Sequence, residues 1–109
     1  MAGLTEQEFR LAADRALDQT QRSLLPLADE KEFEVELQNG VLQLVFEEPT
    51  EAKFVISPNA PVRQVWVSAL SRSFKLSWDE EASLFMLDGE PLDALIQRLA
   101  REHLAAPTA

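Results

Sequence analysis

The 109-residue chain contains no cysteine. That excludes disulfides, thiolate metal sites, a cysteine nucleophile and direct thiolate ligation of an iron–sulfur cluster. It has a single histidine, His103, so a two-histidine metal site cannot form within one chain and a Ser-His-Asp triad is disfavoured. His103 reads instead as a helix-end residue meeting the negative end of the helix dipole. Basic residues are scarce, 10 against 19 acidic ones, and the net charge of −9 argues against nucleic acid or an anionic membrane as the main partner. A cation or a basic protein surface fits better. Apolar runs extend only a few residues, far short of a bilayer span. No repeat at solenoid spacing and no low-complexity tract interrupts the chain. The opening "MAGLTEQEF" lacks a basic flank followed by an apolar core, so no secretory or transit segment is read there and a cytoplasmic location is expected.

What is present suits one globular domain over residues 1–109, with 46% apolar residues and a length that supports one core. "LTEQEF" is a helix start: Thr5 is the N-cap, Glu8 completes a capping box, and Leu4 with Phe9 forms a hydrophobic staple. Phe9, Ala13, Ala16 or Leu17, Thr20 and Leu24 then recur at helical spacing, and Pro26 is expected to end the helix. "EFEVELQNGVLQLVF" is two alternating runs joined by Asn39-Gly40, the pair a two-residue type I′ hairpin favours. Pairing outward from that turn sets Leu37 against Leu42, Val35 against Leu44 and Phe33 against Phe46.

A third run, "KFVI", is expected to place Phe54 opposite Phe46 and Lys53 across from Glu47. "APVRQVWVSALS" (60–71) reads as a strand, "SFKLSW" as another with Phe74, Leu76 and Trp78 on one side, "DEEAS" as a charged turn and "LFML" as a short last strand. Asp88-Gly89 turns the chain, and Pro91 suits the first position of a second helix. Leu92, Leu95, Ile96, Leu99 and His103 or Leu104 form that helix's apolar stripe. The predicted class is therefore α+β: a two-layer sandwich in which two terminal helices cover one face of an antiparallel sheet of about six strands.

One residue is conspicuous in this pattern. With Val65 and Val67 in the core, alternation puts Gln64, Trp66 and Ser68 on the opposite, open face. An indole there covers part of an exposed sheet, or it anchors a partner, since tryptophan is among the residues most enriched at binding hot spots. Val45 and Val55 would extend such a patch.

"NGVLQLVF", "KFVISPNAPVRQVWVSA" and "DGEPLDALI" together resemble the frataxin family, in particular its bacterial CyaY-like branch, and the pattern can be laid over Phe9 to Ala100. The resemblance implies a helix-sheet-helix sandwich. It also implies an iron-binding regulator or iron donor in iron–sulfur cluster assembly, acting by binding the cysteine desulfurase and scaffold proteins. No tightly bound organic cofactor is expected. The family's acidic ridge maps onto Asp14, Asp18, Asp29, Glu30, Glu32, Glu34 and Glu36 as iron contacts. Its acid-rich helix end is occupied here by Gln21, Arg22, Leu25 and Pro26. The partner-binding face maps onto Ser57, Asn59, Gln64, Trp66, Arg72 and Lys75, with Ser83 where a second tryptophan is common.

Two other readings stand beside this one. A small acidic chaperone or adaptor would hold a client on the open sheet face without metal. A ferroxidase is disfavoured by the thin carboxylate set and the lack of histidine ligands, so the expectation is a non-enzyme. A monomer is expected, although the exposed valines would serve a dimer as well as a partner. Exposed carboxylates are hard donors that bind hard cations weakly, because waters complete the coordination. Ferrous iron titrated anaerobically by calorimetry should therefore bind weakly, and more tightly as ionic strength falls. Affinity that ignores salt would rule out a surface carboxylate site.

Overall fold

The computed structural model describes residues 4–105. The first helix, α1, spans Glu6–Lys31, and its amino end forms as its sequence dictates. The Glu8 backbone N–H donates to Thr5 Oγ1 at 3.1 Å, and the Thr5 N–H donates to Glu8 Oε1 at 2.9 Å. Phe9, Ala13, Leu17, Thr20, Leu24, Leu27 and Ala28 line its buried face.

Pro26 does not end this helix but lies inside it. An interior proline forfeits one backbone hydrogen bond and costs about 3 kcal/mol. The turn beyond it buries Leu27 and Ala28, and each leucine-sized burial returns roughly 1.5–3 kcal/mol. Pro26 itself is exposed, so its ring faces water. The true stop is Glu32, in the left-handed conformation at φ 59°; its N–H and that of Phe33 both donate to the Ala28 carbonyl.

Seven strands follow in sequence order across one antiparallel sheet: β1 Glu34–Gln38, β2 Val41–Phe46, β3 Ala52–Asn59, β4 Gln64–Ala69, β5 Arg72–Asp79, β6 Leu84–Leu87 and β7 Glu90–Pro91. The first hairpin has the expected register, Leu37 opposite Leu42 and Val35 opposite Leu44. Asn39 and Gly40 both take positive φ, as a type I′ turn requires. Phe33 precedes β1 and meets Phe46 through ring stacking at 4.5 Å rather than through strand pairing.

Three boundaries differ from expectation. Phe54 pairs with Leu44 and Lys53 with Val45, a slip of two residues from the predicted register. A slip of two keeps every side chain on its face, so the core is unchanged and Phe54 still touches Phe46 at 4.9 Å. Ala60–Val62 forms a 3₁₀ turn rather than the start of a strand, because Pro61 suits such a turn and Arg63 closes it in the left-handed region. Finally, Asp88-Gly89 closes a hairpin that pairs Leu87 with Glu90. That adds a seventh strand and makes Pro91 the N-cap of the second helix, α2 (Leu92–Leu104), rather than its first residue.

Both helices pack on one face of the sheet. Leu42, Leu44, Phe46, Phe54, Ile56, Val65, Val67, Leu76 and Phe85 form its buried side, closed by Leu92, Leu95, Ile96 and Leu99 of α2. His103 is also buried. Its Nε2 lies 3.1 Å from the Thr50 carbonyl and its ring 4.7 Å from Phe46, so it ties the end of α2 to the loop between β2 and β3 instead of serving only the helix dipole.

The middle of α2 is held to β7 by a two-pronged ion pair, Arg98 Nε to Glu90 Oε2 at 3.0 Å and Nη2 to Oε1 at 2.9 Å. The hydrogen bond from Arg98 keeps the Glu90 carboxyl below its ordinary range. A carboxylate lowered by folding adds stability above its unfolded pKa and loses it as pH falls through the folded one. Urea unfolding of Glu90→Gln should thus show a deficit at pH 7 that closes once the pH drops below the ordinary glutamate range. A deficit independent of pH would assign the effect to packing.

Candidate partner-binding face

The face of the sheet turned away from the helices carries Glu34, Glu36 and Gln38 of β1, Gln43 and Val45 of β2, Lys53, Val55 and Ser57 of β3, and Gln64, Trp66 and Ser68 of β4. Ser73, Lys75 and Ser77 of β5 continue it. Trp66 sits near its centre, 36% exposed. It faces outward because Val65 and Val67 are claimed by the core on either side of it.

Cross-strand pairing places Ser57 and Lys75 on the two sides of Trp66. The Lys75 ammonium lies 4.8 Å from the indole centroid, within cation–π range. Trp66 Nε1–H donates to Gln64 Oε1 at 3.0 Å, and Gln64 Nε2–H donates to Ser77 Oγ at 3.4 Å. The indole is therefore held in one orientation before any partner arrives. Beside it, Ser57, Ser68 and Ser73 are too small to fill the surface, and a concavity of about 230 Å³ opens with Val55 on its wall. A rigid aromatic edge next to a shallow pocket suits an apolar anchor from another protein.

Of the residues expected at this face, Ser57, Asn59, Gln64, Trp66 and Lys75 come together, with Asn59 opposite Gln64. Arg72 does not. Its position in β5 shares the parity of Phe74 and Leu76, so it lies on the helix side, paired with Glu102 at 2.9 Å and stacked on Phe74 at 5.5 Å. Ser83 lies in the turn after β5 with positive φ, away from the indole. Alternation already sets Ser68 on this face, but Ser73 and Ser77 are not singled out by the sequence reading; hairpin register would have found them, as the β5 partners of Ser68 and Gln64.

The acidic residues are spread over three places. Asp14 and Asp18 are on α1, where Asp18 is paired with Arg22 at 3.1 Å. Asp29, Glu30 and Glu32 surround the helix end, and Glu34 and Glu36 stand on β1. Among the described residues no three acidic or histidine side chains converge as a metal site would require. The donor set fits a labile cation shared with water, not a resident metal.

Among the described residues, no helix is long and apolar enough to cross a membrane. The sequence matches the family described as Frataxin-like domain over residues 2–106. It is 36% identical over 90 residues to the iron-sulfur cluster assembly protein CyaY of Pseudomonas aeruginosa, covering 79% of this chain and 82% of that protein. It is 33% identical over 107 residues to the protein of the same name from Pseudomonas syringae pv. tomato, covering 94% and 92%. Among solved structures, the frataxin from Psychromonas ingrahamii superposes with a TM-score of 0.66 at 20% identity, covering 91% of this chain and 90% of that one.

Proposed function

This chain belongs to the frataxin-like domain family of non-enzymatic iron–sulfur assembly proteins, and from that premise we propose that it regulates cluster assembly in the cytoplasm by docking on the cysteine desulfurase and scaffold complex. The observation that carries the reading is the pre-set Trp66, held by Gln64 and flanked by Lys75 beside an open concavity. A preorganised indole with a neighbouring pocket gains affinity because little side-chain freedom is lost on docking. Gln64, Asn59 and Ser57 supply polar contacts around it, and Lys75 supplies a cation for an acidic group on the partner.

Iron enters this scheme as cargo. Asp14, Asp18, Asp29, Glu30, Glu32, Glu34 and Glu36 provide exposed carboxylate oxygens without a closed cage, so the ion would be held loosely and passed on readily. The same carboxylates, with a net charge of −9, would steer the chain toward a basic subunit.

Replacing Trp66 with alanine tests the docking. A central aromatic anchor typically accounts for 2 kcal/mol or more of binding, so Trp66→Ala should weaken affinity for the desulfurase and scaffold complex by roughly thirtyfold. Its unfolding free energy should change by no more than about 1 kcal/mol, since the side chain is outside the core. Unchanged affinity in the folded variant would overturn the reading.

A further inference from the structure

β1 and β7 are the two edges of the sheet. β7 is two residues long and ends in Pro91, so it offers almost nothing to a further strand. β1 is five residues long and has no proline. The hairpin at Asn39-Gly40 determines which of its backbone groups are already used. In a two-residue hairpin the pair flanking the turn, Gln38 and Val41, exchanges hydrogen bonds, and the pattern alternates through Glu36 with Gln43 and Glu34 with Val45. The N–H and C=O groups of Val35 and Leu37 therefore point toward the free side.

Beside that edge lies a shallow, widely open depression between the end of α1 and β1, with Leu25, Pro26, Phe33 and Val35 as its apolar floor and Asp29 and Glu32 on its rim. Leu25 on this floor is 49% exposed. Glu34 and Glu36 stand on the opposite side of the same edge. Two copies of β1 cannot pair there without placing glutamates close together, so the edge refuses its own kind. A strand carrying cations meets no such barrier.

We propose that β1 accepts an extended segment of a basic partner protein as an added strand, with Lys or Arg side chains against Glu34 and Glu36 and aliphatic side chains against Val35 and the Leu25 depression. Main-chain bonds to Val35 and Leu37 supply affinity, and the alternating side chains supply selectivity. In an antiparallel addition Glu34 and Glu36 fall at the non-hydrogen-bonded positions, where facing side chains approach most closely. This rests on the reading of the acidic edge as a contact for a basic subunit, and it is independent of Trp66.

The test uses the full chain, isotopically labelled, and a capped synthetic peptide of alternating lysine and valine. Amide hydrogen exchange at Val35 and Leu37 should slow by roughly tenfold or more at saturation, as newly bonded amides do. The effect should vanish in the Glu34→Lys, Glu36→Lys double variant. It should also vanish with a peptide N-methylated at alternate residues, which keeps the charge and loses the main-chain donors. Equal binding of the methylated peptide, or unchanged exchange at Val35 and Leu37, would overturn strand addition. Desulfurase binding that persists after such a failure, and still depends on Trp66, would leave the proposed function standing.

Discussion

Burial of one face of the sheet beneath two helices is the constraint from which the rest of this structure follows. Because side chains alternate along a strand, the commitment of Val65 and Val67 to the core leaves Trp66 nowhere to go but outward. The same parity sends Lys75 to the indole and Arg72 to the opposite side, though the two are only three residues apart. A covering layer on the second face would have buried the tryptophan. Its absence among the described residues makes a surface of polar side chains with one rigid aromatic at its centre.

Charge completes the division of labour. The helix side of the molecule uses its ions internally, in the pairs Arg98 with Glu90, Arg72 with Glu102, Arg22 with Asp18 and Arg10 with Glu6. The β1 edge and the end of α1 hold carboxylates that no nearby arginine neutralises in this way. Exposed pairs of the first kind contribute little to stability, whereas unneutralised charge at an edge governs what approaches it. Affinity for partners and tolerance of weakly held cations thus arise from the same surplus.

Much of this was legible in the sequence, for identifiable reasons. The capping box at Thr5 and Glu8 and the Asn39-Gly40 hairpin depend on residues close in sequence, and both formed as read. The β2–β3 register was not fixed in this way, because the intervening loop has no two-residue turn to count from. Pro26 misled because local propensity favours a stop there, while the burial of Leu27 and Ala28 comes from contacts that propensity does not contain. The role of His103 likewise depended on a partner 53 residues away in sequence, the Thr50 carbonyl. For the site, alternation located Trp66 and Gln64, whereas the resemblance mapped Arg72 onto the same face and its strand parity puts it on the helix side. Of the serines that shape the concavity, Ser57 and Ser68 were legible, whereas Ser73 became visible only once β4 and β5 were paired.

The most direct measurement is hydrogen exchange of the whole chain, free and bound to the desulfurase and scaffold complex, resolved by mass spectrometry to short peptides. The account expects slowed exchange in peptides from β3, β4 and β5 that span Ser57 to Ser77, with α2 unchanged. Protection confined to α2 and the helix side, with the segment around Trp66 exchanging as in the free protein, would contradict it.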